Sequence, residues 1–335
     1  MPASRPQRRA LWIGAACALA VLAIWTSFIL IARASAARVL PPFDIAWLRF
    51  AFAGVVALPV LAWRGRRALV DGLGGSTRSA LVRIAALSFT AGIGYCAFAY
   101  TGFFFAPAAH AAVLMPGSLP LWTALLAVWV LGEKLAPMRI VGLLLIATGA
   151  LLVGGQSLWL AATGGGTVWR GDLLFMLGGM MWASYGVLCR HWRVGALDAT
   201  LAIALGCFAS AVPLYALGVV AGVVPSKLIG AGAAPWAEMA WQAVFQGGVS
   251  MWLAGLAYTQ VVSTFGPVRA TMLTSLVPPL VAIGALMFLG ESLSVAAIGG
   301  LVCVTIGLLV GLRAPSVSAA PPTATATAIA LPRPS

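Results

Sequence analysis

Charged residues are scarce in this 335-residue chain: Asp, Glu, Lys and Arg together make up 8% of it, and only seven residues are acidic. Hydrophobic residues make up 62% of the sequence, and the mean hydropathy is strongly positive. A soluble domain of this length could not keep so much apolar surface away from water. The composition therefore predicts an integral membrane protein.

Uncharged runs long enough to cross a bilayer recur along the sequence. A helix needs about 20 apolar residues to cross about 30 Å of hydrocarbon, and residues 11–32 meet that length. The uncharged stretch 84–132 is too long for one crossing, and Ala106-Pro107 near its middle marks a turn between two. Such segments are too long and too uniformly apolar for barrel strands, so we predict an all-α bundle. Its ten predicted transmembrane helices lie near 11–33, 44–63, 82–105, 110–131, 137–155, 171–190, 198–221, 239–262, 267–289 and 294–312.

The basic residues lie between the predicted spans and form no continuous basic face, so the net charge of +13 does not indicate a nucleic-acid partner. With a cytoplasmic N-terminus, 15 of the 20 Lys and Arg fall on the inner side of the membrane. This asymmetry predicts that both termini are cytoplasmic. The segment 313–335 is rich in Ala, Pro and Thr, and we expect a disordered cytoplasmic tail there.

The two halves of the chain share a pattern of residues. Residues 119–135 read LPLWTALLAVWVLGEKL, and residues 277–293, which begin 158 positions later, read VPPLVAIGALMFLGESL. The same offset aligns Tyr100 with Tyr258, Gly132-Glu133 with Gly290-Glu291, Gly142 with Gly300 and Gly149 with Gly307, and an offset of 157 aligns Trp25 with Trp182 and Arg33 with Arg190.

Each repeat holds five predicted spans, the first within residues 11–155 and the second within residues 169–312. Because five is an odd number, the second repeat enters the membrane from the opposite side. The halves are therefore predicted to be inverted repeats around a central cavity, related by a pseudo-two-fold axis in the membrane plane. This arrangement is typical of secondary transporters, which bind substrate near mid-membrane and alternate access between the two sides.

Several segments resemble a known family. The five-plus-five spans, PPFDIAWLRF at the start of span 2, the paired LGE motifs and GDLLFMLGGMMWASYGVLCR in the second half resemble the EamA branch of the drug/metabolite transporter superfamily. The resemblance covers about residues 11–312 and is strongest to YddG-type exporters of aromatic and other amino acids. It implies a bacterial inner-membrane carrier whose third, fourth, eighth and ninth spans help to wall a central cavity. Its partners would be a small-molecule substrate and the bilayer, and a monomer could suffice. Arg49 departs from the repeat, because an offset of 157 aligns it with Gly206.

Aromatic and polar side chains within the spans are the candidates for substrate binding. A buried Tyr or Trp needs a hydrogen-bond partner, which a wet cavity can supply. A polar side chain such as Gln246 costs free energy in lipid unless it is paired or hydrated. Helix packing and interfacial positions explain such residues equally well, so both interpretations stay open. The candidates are Trp25, Tyr95, Tyr100, Trp122, Trp182, Tyr185, Gln246, Trp252 and Tyr258.

Prolines and isolated charges supply candidates for movement. Pro120 and Pro278 occupy repeat-related positions inside spans 4 and 9, where a proline frees a carbonyl and can serve as a hinge or as a packing kink. Arg49 is the one charge within a span: it snorkels to the outer interface or meets a substrate carboxylate from the cavity wall. His110, at the outer entrance of span 4, is a second candidate for gating or coupling through a proton, and the alternative is an interfacial histidine with no such role.

The paired glutamates end the two LGE motifs. A carboxylate near a membrane path can serve proton coupling or gating. However, Glu133 and Glu291 each precede a helix whose N-terminus favours negative charge, so we prefer the interpretation that each caps the helix that follows.

The remaining absences narrow the function. No Asp, Glu or Lys is placed mid-span, so we expect no proton relay or ion cage and predict facilitated diffusion. Two distant histidines and five scattered cysteines offer no catalytic or metal-binding constellation, so we expect no enzyme, metal or cofactor. We predict a secondary transporter that exports small neutral or zwitterionic metabolites, amino acids and aromatic ones among them. The alternatives are a multidrug or other-metabolite carrier of the same fold, or a non-transporting membrane enzyme or scaffold.

Overall fold

The structure, a computed structural model, describes residues 5–36, 40–230, 232–265, 273–274 and 276–313. Within these residues the regular structure is entirely helical. The α-helices are α1 (Arg5–Ala36), α2 (Pro42–Arg64), α3 (Arg66–Gly72), α4 (Thr77–Leu87), α5 (Gly94–Phe105), α6 (Ala108–Leu114), α7 (Leu119–Leu131), α8 (Pro137–Gly164), α9 (Val168–Trp192), α10 (Ala196–Val220), α11 (Trp236–Gln242), α12 (Ala254–Phe265), α13 (Val277–Gly284) and α14 (Val295–Leu312). Three π-helical stretches continue them: π1 (Ser88–Ile93) before α5, π2 (Ala243–Leu253) before α12, and π3 (Ala285–Leu289) after α13.

Seven helical segments in the described ranges are long and apolar enough to cross a membrane, which confirms an all-helical, multi-pass membrane protein. The count of ten spans stays a prediction. The predicted span 239–262 forms helix but is not among the seven, and part of the predicted span 267–289 lies outside the described residues, as does nearly all of the predicted tail 313–335. The seven segments are Leu11–Ser35, Pro42–Arg64, Thr77–Phe105, Ala108–Leu131, Pro137–Gly164, Val168–Trp192 and Ala196–Val220, and the shorter apolar helices are Val277–Leu289 and Val295–Gly311.

Helices α2 and α10 run antiparallel and are joined at both ends by buried carboxylates. Asp44, in the first turn of α2, is fully buried and accepts hydrogen bonds from the hydroxyl of Tyr215, near the end of α10, and from the backbone N–H of Lys227 at 2.8 Å. At the opposite end, Asp198 in the first turn of α10 accepts two hydrogen bonds of 2.9 Å from Arg64, the last residue of α2. An antiparallel pair with equivalent ends is what a two-fold axis in the membrane plane produces.

The register of these two helices corrects the alignment of the repeats. Helix α10 begins 154 positions after α2, and the same offset relates Asp44 to Asp198 and Pro59 to Pro213, two prolines inside their helices. Arg49 is therefore equivalent to Ile203. The expected equivalence with Gly206 was wrong, because the loops before the two helices differ in length.

Helices α8 and α14 form a second antiparallel contact in which backbone meets backbone. A Cβ atom built on Gly142 would lie 2.6 Å from the carbonyl oxygen of Gly307, and one built on Gly149 would lie 2.6 Å from that of Gly300. These four glycines occupy equivalent positions in the two repeats. The two-fold axis maps the contact between Gly142 and Gly307 onto the contact between Gly300 and Gly149. The two-repeat layout is therefore confirmed in the packing of the helices.

Replacing Gly149 by Ala should destabilise the protein, because the added methyl group overlaps the facing backbone, whereas Gly154 in the same helix has open space around it. We expect Gly149→Ala to cost about 1–3 kcal/mol of the free energy of unfolding. Gly154→Ala should be neutral or stabilising by up to about 1 kcal/mol through helix propensity. Thermal unfolding of both variants in detergent measures the difference, and equal midpoints would contradict the close helix contact.

Candidate functional site

The fourth predicted span is broken near its middle. Helix α6 ends at Leu114, residues 115–118 form a turn, and α7 begins at Leu119. The turn is held internally, since the Ser118 hydroxyl donates to the carbonyl of Leu114 at 2.6 Å and the N–H of Gly117 donates to that of Ala112 at 3.0 Å. The break brings backbone and side chains of residues 115–119 to the middle of the bundle.

The two candidate hinge prolines begin helices and do not kink them. Pro120 lies in the first turn of α7 and Pro278 in the first turn of α13. A proline is tolerated there because its missing N–H would have no partner within the helix. The expected position inside a continuous helix was wrong, and a hinge role at these sites stays a prediction.

A central cavity lies between the two halves, at the level of the break in span 4. Its free space is about 90 Å³. Four of the candidate residues line it: Trp25, Arg49, Tyr95 and Trp182. The other lining residues are Phe28, Ile29, Met115, Pro116, Leu119, Gly179, Ser250 and Val277. Of these, Phe28 carried a signal that sequence could have used, since it lies one helical turn from Trp25, and Ser250 is a polar residue within the predicted span 239–262.

Aromatic rings make up one wall of the cavity. The Trp182 ring lies between those of Tyr95 and Tyr185, with ring centroids 5.1 and 5.3 Å away. Phe28 stacks on Tyr95 at 6.4 Å. Tyr185 does not line the cavity but supports Trp182 from behind. Aromatic pairs at these separations are mutually favourable, so the rings form a shaped and stable surface.

Arg49 faces this aromatic wall from α2. Its side chain is buried, with 5% of the residue exposed, and its guanidinium lies over the ring of Phe28 at 5.7 Å. The expected snorkelling to the outer interface was wrong, because the side chain turns into the bundle. Its one hydrogen-bond contact is a long one, 3.5 Å to the hydroxyl of Tyr100, and no ion pair within the described ranges includes it. Most of the five guanidinium N–H donors thus have no hydrogen-bond partner among the described residues.

A chain of buried polar groups continues from Arg49 toward the start of α11. The Tyr100 hydroxyl donates to Gln246 at 2.8 Å, and the Gln246 amide donates to Gln242 at 3.3 Å. The Gln242 amide donates in turn to Glu238 at 2.9 Å. Sequence reasoning missed Glu238 and Gln242, although the spacing of four residues from Glu238 to Gln242 to Gln246 places all three on one helix face. Tyr100 and Gln246 therefore lie outside the cavity lining, and only the Tyr100 hydroxyl comes within 3.5 Å of Arg49.

The remaining aromatic candidates lie outside the cavity lining. Trp252 is buried and donates its indole N–H to the carbonyl of Ala53 at 3.1 Å, which joins π2 to α2. Tyr258 packs against Trp25 with ring centroids 5.4 Å apart. The indole N–H of Trp122 on α7 is buried and has no hydrogen-bond partner among the described residues.

His110 belongs to a separate buried cluster on α6. Its Nδ1 lies 2.8 Å from the carboxylate of Asp172 on α9, and that carboxylate also accepts a hydrogen bond from Ser157 on α8. All three residues are less than 9% exposed. The cluster ties the first half of α6 to the second repeat, while the other end of α6 leads to the cavity. The structure does not place His110 in the cavity, and its proposed coupling role stays a prediction.

Two repeats of apolar helices that enclose a mid-bundle cavity are the architecture of a membrane transporter. The sequence matches the EamA-like transporter family over residues 12–155 and 169–313. Because these ranges include most of the chain, the protein belongs to the EamA-like transporter family. It is a multi-pass membrane transporter and not an enzyme.

Comparison with solved structures supports the fold. A structure titled "Crystal structure of protein" is 20% identical in sequence, with a TM-score of 0.53, over 90% of this chain and 97% of that one. At this identity the likeness shows the fold alone. No curated protein matches the sequence.

Replacing Tyr100 by Phe should destabilise the protein, because it leaves the Gln246 oxygen and the Arg49 guanidinium without their shared hydroxyl. The expected loss is about 1 kcal/mol in the free energy of unfolding. Tyr95→Phe is the matched control, since the described structure shows no hydrogen bond to the Tyr95 hydroxyl; its effect should stay within about 0.5 kcal/mol. Thermal unfolding in detergent separates the two, and a larger loss for Tyr95→Phe would contradict the polar chain.

Proposed function

We propose that this transporter carries amino acids, aromatic ones among them, across the bacterial inner membrane by alternating access. The observation that carries the proposal is a cavity in which a buried guanidinium faces a wall of aromatic rings and has no carboxylate partner in the part of the chain that the structure describes. The resemblance to YddG-type exporters supports the same class of substrate and favours export as the direction of transport.

A carboxylate of the substrate would be the ion-pair partner of Arg49. A buried charge without a partner costs several kcal/mol, and a carboxylate that accepts two parallel N–H bonds from the guanidinium offsets that cost. The contact with Tyr100 is too long to provide such compensation. A solute with a carboxylate would therefore bind where Arg49 meets the cavity.

The aromatic wall would bind the parts of the amino acid other than its carboxylate. No acidic side chain occurs among the described residues that line the cavity. The ammonium group of an amino acid would therefore lie over ring faces such as those of Trp25 and Trp182, which attract cations. An apolar or aromatic side chain would pack on the same rings. The free space of about 90 Å³ is below the range of roughly 300–1,000 Å³ typical of ligand pockets, so binding requires the walls to move apart.

Uptake of a labelled amino-acid panel into proteoliposomes tests this function. We expect saturable uptake that equilibrates and does not change when a pH gradient is imposed. Accumulation driven by the gradient would contradict facilitated diffusion. Failure of a folded preparation to carry any member of the panel would contradict the amino-acid assignment. Transport of carboxylate-free apolar cations in its place would favour a multidrug carrier.

Replacing Arg49 by Gln should weaken transport of amino acids. A charge-assisted hydrogen bond is worth about 1.5–3 kcal/mol, so kcat/KM should fall by about 10- to 100-fold. The kcat/KM of Arg49→Lys should lie between those of Arg49→Gln and the wild type, because Lys keeps the charge but loses the paired N–H groups. Arg170→Gln, which removes an exposed arginine at the start of α9, is the matched control and should leave transport unchanged.

Competition with a carboxylate-free analogue identifies the group that Arg49 binds. The amine that corresponds to a transported amino acid should compete equally well against the wild type and Arg49→Gln, because it makes no contact with the guanidinium. The amino acid itself should compete less well against the variant. If both compounds compete less well against Arg49→Gln by the same factor, Arg49 maintains the structure of the cavity and does not bind the carboxylate.

A further inference from the structure

Two arginine–glutamate pairs join the repeats, and the pairs are themselves related by the repeat. Arg33 Nε lies 2.6 Å from Glu291 Oε1, and Arg190 forms an ion pair with Glu133. Arg33 is equivalent to Arg190, and Glu291 is equivalent to Glu133. Each pair therefore joins one half of the molecule to the other. Because the repeats are inverted, the two pairs lie at opposite ends of the bundle, and the predicted topology places the Arg33 pair at the outer end.

The Arg33–Glu291 pair is part of a larger hydrogen-bonded junction. Arg33 also donates to the carbonyl of Phe103 at 2.5 Å, in the last turn of α5. The second carboxylate oxygen of Glu291 accepts the N–H of Ala108 at 2.8 Å, the first residue of α6. Glu291 therefore caps α6, and the expected capping of the helix that follows Glu291 was wrong. Four elements from both repeats meet at this one carboxylate and its arginine.

The same junction is connected to the cavity. Helix α1 carries Arg33 and also presents Trp25 and Phe28 to the cavity. Helix α6 begins at the residue that Glu291 caps and ends at the break that contributes Met115. The segment that ends before Glu291 begins with Val277, another lining residue. A change in this pair therefore displaces three walls of the cavity together.

The two pairs differ in burial although they are equivalent in sequence. The side chains of Arg33 and Glu291 are 24% and 15% exposed, whereas those of Arg190 and Glu133 are 54% and 29% exposed. An exposed pair contributes little to stability, whereas removal of one partner from a pair that is mostly shielded from solvent leaves a poorly compensated charge. The Arg33–Glu291 pair thus holds its end of the bundle closed, whereas the Arg190–Glu133 pair contributes little to closure of the opposite end.

We propose that these pairs are the alternating locks of the carrier, an inference that rests on the proposed alternating-access transport. Arg33–Glu291 locks the outer side in the state of this structure. In the opposite state the inverted symmetry exchanges the roles: Arg190–Glu133 becomes the more buried pair and locks the inner side, and Arg33–Glu291 becomes the exposed and weaker pair. The joints between α2 and α10 differ from the locks in burial, because Asp44 and Asp198 are both buried in the same state, whereas the two lock pairs differ in exposure.

Cysteine accessibility tests the locks without any substrate. Ala109→Cys provides a reporter beside the outer lock, since Ala109 is buried in α6, and the native half-buried Cys189 lies beside Arg190 at the inner lock. Right-side-out and inverted vesicles are treated with a membrane-impermeant maleimide, and the labelled peptides are quantified by mass spectrometry. Glu291→Gln should raise labelling of the Ala109→Cys reporter from outside by about tenfold, which corresponds to a shift of about 1.4 kcal/mol between states. Labelling of Cys189 from inside should fall in the same variant.

Three controls make the result specific to the locks. Glu133→Gln should leave outer labelling unchanged or lower it, because its pair is already exposed. Arg170→Gln removes an exposed charge at the same end of the bundle as the outer lock and should have no effect on either reporter. The double variant Arg33→Gln/Glu291→Gln should label no faster than the single variants, because both remove the same interaction.

Unchanged outer labelling in Glu291→Gln, or an equal rise in Glu133→Gln, would overturn the proposal. If Glu291→Gln does not fold, Arg33→Lys replaces it; Lys keeps the charge but cannot bind Glu291 and Phe103 together, and outer labelling should rise by a smaller factor. If the wild type takes up no amino acid but the labelling results are as expected, the proposed substrate is wrong and the proposed locks are supported. If amino-acid uptake is normal but the reporters do not respond, the proposed locks are wrong and the proposed substrate is supported.

Discussion

The free-energy cost of an unpaired charge inside a membrane governs this structure. Six of the seven acidic side chains accept hydrogen bonds, and five of the six join separate elements of the bundle. The carboxylates therefore act as joints between helices that lipid alone would not hold in register. Against that background Arg49 is informative, since its lack of an ion-pair partner among the described residues supports the proposal that a carboxylate arrives with the substrate. The joining carboxylates are Asp44, Glu133, Asp172, Asp198 and Glu291.

The helical class, the two repeats and a cavity between them could be predicted because they depend on patterns that extend over many residues. Which face of each helix turns inward could not, since nearly every position in a span is apolar and periodicity gives little contrast. Trp182 and Trp252 illustrate this: both are aromatic and both lie in predicted spans, yet one lines the cavity and the other packs on α2. Arg49 was recognised as a charge within a span, but the direction of its side chain depends on the neighbouring helices.

Register was the second source of error. One offset fits the helices that end in the LGE motifs, but the offset is 154 in α2 and α10 because the preceding loops differ in length. A single sliding comparison therefore hid the equivalence of Asp44 with Asp198 and of Pro59 with Pro213. It also hid the role of Glu291, whose partner Ala108 is 183 residues away and belongs to the other repeat. Pairing across that distance follows from the fold and leaves no local trace in the sequence.

The glycine contact between α8 and α14 has a thermodynamic consequence. An exchange of conformation between the repeats maps this contact onto itself, so its free energy is the same in both end states of a transport cycle. It can therefore be as strong as the fold requires without favouring either state. The balance between the two populations is left to residues that have no equivalent in the other half. Arg49 opposite Ile203 is such a position, and the proposed binding of a solute there would shift the equilibrium between two states of nearly equal free energy.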